Sequence, residues 1–235
     1  MTIEPQMKER LRSERAEGLI MDADRAAMLI KDGMAVGISG FTNAGYPKVV
    51  THALAEQAKA GRTVKIDLYS GASVGPEVDT ELTEAGVIRK RIPYQTNSSL
   101  RKSINAGNVD YIDMHLGRSP EFVSGGHVKK PDVALVEALA ITEEGNLIPT
   151  TSVGNTPTYV AEADTVIVEI AMAKPLALEG MADVYMQEKP PFRKPIPLTH
   201  AGDRIGTPYI KCGWDKIKAI VISDKSDLTR PLAAI

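Results

Sequence analysis

Short apolar runs alternate along this chain with stretches whose apolar positions recur at helical spacing, and turn residues separate the two kinds. "MAVGIS" (34–39) reads as a buried strand, and "PKVVTHALAEQAKAG" (47–61) as a helix with Pro47 in its first turn and Gly61 at its end. "TVKIDLYSGAS" (63–73) alternates as a strand does. "PEVDTELTEAG" (76–86) is helical, "VIRKRIPY" (87–94) extended, "NSSLRKSINAG" (97–107) a capped helix, and "VDYIDMHL" (109–116) extended again. Residues 132–142 read as a strand, "NLIPTTSV" (146–153) as its neighbour, and "NTPTYVAEA" (155–163) as a short helix. "DTVIVEI" (164–170) and "WDKIKAIVISD" (214–224) supply the last strands. This alternation predicts an α/β domain with a largely parallel sheet flanked by helices.

Three segments stand outside that rhythm. Residues 6–17 are a polar helix or arm closed by Gly18, and 22–33 a second helix with Asp22 or Asp24 as cap and Gly33 as terminator, so 1–33 forms an N-terminal helical region. From Ala171 to Ile210 the chain holds Pro175, Pro190, Pro191, Pro195, Pro197 and Pro208, too many for regular elements. It reads as a long surface excursion, a lid or an interface arm. Residues 224–235, ending in "KSDLTRPLAAI", read as a linker leading onward.

Composition narrows the function classes. The chain has 235 residues, 43% apolar and 25% charged, with a formal net charge of −2. That balance gives no electrostatic basis for binding nucleic acid or an anionic membrane. The basic spots "RKR" (89–91) and "KERLRSER" (8–15) are expected to be solvated strand and helix ends. Cys212 is the sole cysteine, so a disulfide framework and a cysteine-based zinc site are excluded, and it is expected to be a packed residue. His52, His115, His127 and His200 lack metal-ligand spacing. No run reaches bilayer-spanning length, and a cytoplasmic setting is expected. Glu137 and Glu169 lie within apolar strands, where a buried carboxylate needs a partner. They are expected to point outward at strand ends or to bond backbone.

The stretch "GISGFTNAGYPKVV" (37–50) is the most informative. Gly40 and Gly45 have phosphate-loop spacing, but Tyr46 and Pro47 follow, and Lys48 comes one place late. Without a Ser or Thr to hold magnesium, a nucleotide phosphate loop is excluded, and the glycine spacing is also wrong for a dinucleotide fingerprint. Small residues at a strand end, then Pro47 opening a helix, would aim free N–H groups at an anionic or carbonyl oxygen. "YSGASVGP" (69–76) and "SVGN" (152–155) are loops of the same kind. Together they favour a small-molecule enzyme acting on a carboxylate or thioester.

"DGMAVGISGFTNAGYPK" resembles the N-terminal signature of class I coenzyme A transferases at Asp32, Gly33, Gly40, Phe41, Gly45 and Pro47, with Ser39 where many members have a glycine. "GASVGPEVD", "RIPYQTN", "DMHLG", "VALVEALAITEEG", "PTTSVGN" and "LEGMADVY" fall in the order of the acetyl-CoA hydrolase/transferase branch, which includes succinyl-CoA:acetate CoA-transferases. The resemblance implies a single CoA-transferase N-terminal domain over 1–235, in an architecture shared with sugar-phosphate isomerases. It implies transfer of CoA between an acyl-CoA and a short carboxylic acid such as acetate or succinate, with no metal or organic cofactor and CoA as substrate. The family nucleophile is a glutamate of a second, C-terminal domain; the one Ser-Glu here, Ser13–Glu14, lies on the charged N-terminal segment, so no catalytic residue is expected in this chain. The expected partners are that C-terminal domain and a second copy of the chain, as a homodimer.

By the same resemblance, Ser73 and Thr96 match positions that hydrogen-bond the small carboxylate. The competing role for each is to cap the helix that follows. Gly40, Phe41, Thr42 and Gly45 would shape the pocket from the first loop, with Gly154 and Asn155 from the third. A family arginine near the end of the domain also contacts the carboxylate; the matching place falls at Leu228, with Arg230 two residues on. Two rival readings are a sugar-phosphate isomerase or ligand-sensing domain, and a non-catalytic module using the proline-rich excursion as its contact surface.

Overall fold

In the computed structural model, which describes residues 5–229, one eight-stranded sheet runs through the molecule. Its strands are β1 (Ala35–Ile38), β2 (Ile66–Tyr69), β3 (Ile88–Ile92), β4 (Asp110–Tyr111), β5 (Val133–Ile141), β6 (Leu147–Pro149), β7 (Thr165–Ala171) and β8 (Ile217–Ser223). The order β4-β3-β2-β1-β5-β7-β8 is parallel at every pairing, and β6 turns back antiparallel on the far half of β5. Chain order runs outward from β1 in one direction and from β5 in the other. The boundary between β1 and β5 is therefore the topological switch point, where open α/β sheets leave a crevice beyond their strand ends.

Helices α1 (Pro5–Lys8), α2 (Ala23–Ala27), α3 (Val49–Lys59), α4 (Pro76–Asp79), α5 (Glu81–Glu84), α6 (Ser98–Asn105), α7 (Ser119–Ser124) and α8 (Thr156–Glu162) cover the sheet. Because strand side chains alternate, the two faces bury separate cores. Val36, Ile38, Leu135 and Ile167 pack with Ile30 and Leu54 on one face. Ala35, Ala134, Val136 and Val168 pack with Leu11, Tyr159 and Trp214 on the other.

Several local expectations need correction. Residues 6–17 are not one helix: Leu11 bridges Ile141 in parallel, and the Ile141 N–H reaches the Arg10 carbonyl at 2.7 Å. The open backbone edge of β5 outcompetes continued helix. Residues 76–86 split into α4 and α5 at Thr80, and in 109–116 only Asp110 and Tyr111 pair as strand. The solvated reading of the basic spots fails at Arg10 and Arg91. Arg10 is buried and donates to the carbonyls of Leu139, Ala171 and Lys174. Arg91, fully buried, is paired with Asp79 at 3.2 Å. Cys212 is partly buried, and burial raises its thiol pKa to about 11, in keeping with a packed residue. The excursion is irregular as expected, with one 3-10 turn at Leu176–Leu178 and a bridge between Val184 and Thr207. Lys189 ties it to Glu162 at 2.9 Å.

Candidate substrate-binding site

The loops that follow β1, β2 and β3 meet beside the switch point. The β2 loop carries Ser73 and the β3 loop Thr96. The Thr96 backbone N–H donates to Ser73 Oγ at 2.6 Å, and the two hydroxyls share a hydrogen bond at 3.0 Å. Each hydroxyl carries one proton, and one of the two serves the bond between them, so the pair keeps a single O–H to offer. Neither residue caps a helix. Gly75 stands at the N-cap of α4 without a side-chain bond, and Asn97 caps α6 by accepting from the Leu100 N–H with its side-chain Oδ1. The capping alternative is thus removed for both.

Ser73 and Thr96 line a cavity of ≈ 550 Å³ with Thr42, Asn43, Val74, Pro76, Asn97 and Thr229. Thr42 sits at the tip of a tight turn closed by reciprocal Phe41 and Ala44 backbone bonds, with a left-handed φ of 54°. That conformation is uncommon for a β-branched residue and is held by the turn around it. The lining carries hydroxyls and amides, with no charged side chain among the residues named.

Behind this wall, the free N–H groups at the start of α3 are already taken. Glu169 of β7 accepts from the N–H groups of Lys48 and Val49 at 2.9 and 3.0 Å, and from that of Val50 at 3.1 Å. The expectation that this helix end faces a ligand oxygen is overturned: the chain supplies its own anion. Burial raises the Glu169 pKa to about 7 against the pull of the three amides, with the neighbouring Glu137 charge adding to the rise.

A buried ion-pair network lies next to it. Lys48 Nζ contacts Glu137 Oε2 at 2.5 Å, Asp227 Oδ1 at 2.9 Å and the Tyr46 carbonyl at 2.7 Å. Asp227 also pairs with Lys174, and Thr150 donates to Glu137 Oε1 at 2.7 Å. Burial works against the Lys48 ammonium, but the Glu137 and Asp227 carboxylates outweigh it and raise its pKa. Burial likewise opposes the Asp227 carboxylate, and Lys174 and Lys48 outweigh it and lower its pKa. Among the described residues, no group of His, Cys, Asp and Glu is arranged to hold a metal ion, and no helix is long and apolar enough to cross a membrane.

The family model for the acetyl-CoA hydrolase/transferase N-terminal domain matches residues 5–225. The chain belongs to that family. It is 49% identical over 229 residues to the succinyl-CoA:acetate CoA-transferase of Clostridium kluyveri, covering 97% of this chain and 43% of that protein. It is 37% identical to the propanoyl-CoA:succinate CoA transferase of Escherichia coli, over 88% of this chain and 43% of that one. The chain thus spans less than half the length of these curated relatives. In fold it is similar to RipA from Yersinia pestis, at a TM-score of 0.63 and 15% identity over all of this chain and 47% of RipA. It is also similar to glutaconate coenzyme A-transferase from Acidaminococcus fermentans, at 0.58 and 14% over 87% of this chain and 75% of that one.

Within this acetyl-CoA hydrolase/transferase domain, the residues singled out from sequence separate into groups. Ser73, Thr96 and Thr42 come together on the cavity wall. Gly40 and Gly45 shape the loop behind it: a Cβ on Gly40 would meet Tyr46 Cβ at 2.7 Å, and one on Gly45 would collide with Ser152. Phe41 is 65% exposed beside the cavity and outside its lining. Gly154 and Asn155 do not join the lining. They hold the loops together, with the Asn155 N–H donating to Ser39 Oγ at 2.9 Å and a Gly154 Cβ blocked by the same hydroxyl. Ser39, in place of the usual glycine, therefore ties the first loop to the third. The Leu228 carbonyl accepts from Asn43 at 3.2 Å, and Arg230 lies outside the described residues.

Sequence reasoning missed the Lys48–Asp227 pairing and the use of Glu169 as a helix cap. Glu137 and Glu169 do not point outward; each has the partner its burial requires, Lys48 for Glu137 and backbone N–H groups for Glu169, so backbone bonding holds for Glu169 alone. The available signals were a lysine one place late after a glycine loop and two glutamates in apolar strands. Parallel pairing aligns Glu137 with Glu169 in register, on the face that α3 covers.

Proposed function

We propose that this chain is the carboxylate-binding first domain of a CoA-transferase that moves CoA between an acyl-CoA and a short carboxylic acid of the acetate or succinate type. The observation that carries this reading is the Ser73–Thr96 hydroxyl pair. One of its two protons serves the bond between them, so the pair keeps one O–H donor on the wall of a cavity large enough for a small acid. A carboxylate, which only accepts, is the complementary ligand.

In the proposed cycle, an enzyme glutamate attacks the acyl-CoA carbonyl, forming a mixed anhydride and expelling CoA thiolate. The thiolate attacks the glutamyl carbonyl, releasing the first carboxylate and leaving a glutamyl-CoA thioester. An acceptor carboxylate then attacks that thioester, and the sequence runs in reverse to give the new acyl-CoA and the free glutamate. Hydroxyls on the cavity wall would orient each carboxylate and stabilise oxyanions as they develop. We place the nucleophilic glutamate outside this chain, in a C-terminal domain. In support, the buried carboxylates Asp67, Asp79, Glu137, Glu169 and Asp227 of the described residues are each engaged by cationic or N–H donors of the chain itself. CoA enters as a substrate, and the whole enzyme is proposed to be a homodimer.

The test is intact-mass analysis after incubation with succinyl-CoA or acetyl-CoA. This chain should remain unmodified, whereas the full-length protein containing it should gain a CoA-sized adduct that hydroxylamine removes. An adduct within residues 1–235 would overturn the placement of the nucleophile. Tight binding of a sugar phosphate with indifference to acyl-CoA would overturn the reaction class.

A further inference from the structure

After β8 the chain passes back across the loops of the site. Residues 224–226, 228 and 229 are exposed, yet the side chain of Asp227 between them is only 6% accessible. Oδ1 of Asp227 meets Lys48 Nζ at 2.9 Å, and Oδ2 meets Lys174 Nζ and accepts from the Thr151 hydroxyl at 3.0 Å. The Gly45 N–H lies 3.3 Å from both oxygens. One residue on, the Leu228 carbonyl accepts from Asn43. The next residue, Thr229, lines the cavity with Ser73 and Thr96.

An exposed segment ordered only by its own backbone would carry a large conformational-entropy cost and would not hold a side chain in place. Here one buried carboxylate fastens the segment to the first loop, to the start of α3, to the loop after β6 and to the turn after β7. Building on the carboxylate-binding role proposed above, we infer that Asp227 is a positioning residue that holds Thr229 on the cavity wall and thereby sets affinity for the small acid. Asp227 reaches no cavity atom itself; it acts through the residue two places on. Loss of Asp227 leaves Lys48 still paired with Glu137 and leaves Lys174 without its carboxylate partner.

Steady-state kinetics of the full-length enzyme test this with Asp227→Asn. The KM for the acceptor acid should rise about ten-fold or more, with the KM for acyl-CoA within two-fold of the unaltered enzyme. Asp227→Glu should recover part of the loss, and Lys174→Met, which removes one of the ammonium partners, should reproduce it in milder form. Thr229→Ala should raise the same KM, and the double variant Asp227→Asn with Thr229→Ala should be no worse than Asp227→Asn alone. An acid KM unchanged in Asp227→Asn would overturn the inference, as would a full sum of the two effects in the double variant. Should Asp227→Asn not fold, Lys174→Met and Thr229→Ala decide by the same KM. Absence of CoA transfer in the unaltered full-length enzyme would instead remove the functional reading and this inference with it.

Discussion

Thr96 gives its backbone N–H to Ser73 Oγ at 2.6 Å and shares a hydroxyl–hydroxyl bond with it at 3.0 Å, which leaves the pair one O–H to donate. Ser73→Ala breaks the hydroxyl pair and strands the Thr96 N–H. A hydrogen bond to a charged group is worth about 1.5–3 kcal/mol, so the KM for acetate or succinate should rise about ten- to a hundred-fold. Thr96→Val keeps the backbone bond and should cost less. Initial-rate saturation curves of the full-length enzyme check both; equal KM values in all three proteins would remove Ser73 from the site.

Arg91 and Asp79 are both wholly buried, and the second Asp79 oxygen accepts from the Val74 N–H at 3.1 Å. Removing one partner leaves a buried charge without its counter-ion. Asp79→Ala should destabilise the domain by about 3–5 kcal/mol in urea unfolding. Replacing both residues with apolar ones of similar size should restore much of that loss. The Val74 N–H ties this pair to the cavity wall, so Asp79→Ala should also weaken acid binding.

Gly75 has no room for a side chain. A Cβ there would overlap the Tyr46 ring, which is buried and anchored by a 2.7 Å bond from its hydroxyl to Glu77. Gly75→Ala should therefore cost about 1–3 kcal/mol through overpacking. Val74 and Pro76 on either side line the cavity, so acid affinity should fall as well. Thermal unfolding and saturation kinetics of the variant measure the two effects separately.

Glu169 gives the domain a pH signature. Its folded pKa stands at about 7, above the ordinary 4.5, so folding favours the protonated form. The associated stability is fully present below pH 4.5 and is lost as pH rises through 7. The groups facing this carboxyl are the N–H donors of Lys48, Val49 and Val50 and the carboxylate of Glu137. The stability advantage of the unaltered chain over Glu169→Gln should shrink by on the order of 3 kcal/mol between pH 4.5 and 7, then level off. Urea midpoints measured across that range would show it; a constant difference would mean Glu169 does not titrate there.

The strands were legible because burial on both faces leaves continuous apolar runs, as in "VALVEALAI" of β5, and because Gly61 and Gly86 mark the ends of α3 and α5; Gly33 does not end a helix over 22–33, since α2 stops at Ala27. A cap at Asp22 or Asp24 was legible because such a partner lies within the same turn, and the structure selects Asp22, which accepts from the Arg25 N–H. Glu169 was not, because the N–H groups it caps lie about 120 residues earlier in the chain. Arg91 reads as one of three basic residues in a row, and only the packing of α4 against β3 shows that its side chain is enclosed with Asp79.

The sequence by itself determined the α/β class, the parallel strands, the glycine loops at their ends and the family to which the chain belongs. These follow from local spacing and residue type, which act over a few positions. The tertiary structure alone decided that Ser73 and Thr96 join as a hydroxyl pair, that Glu169 fills the α3 terminus in place of a ligand, and that Asp227 fastens the chain beside the cavity. Those outcomes depend on which polar groups meet after burial. Each buried charge must find a partner wherever the sheet order places one.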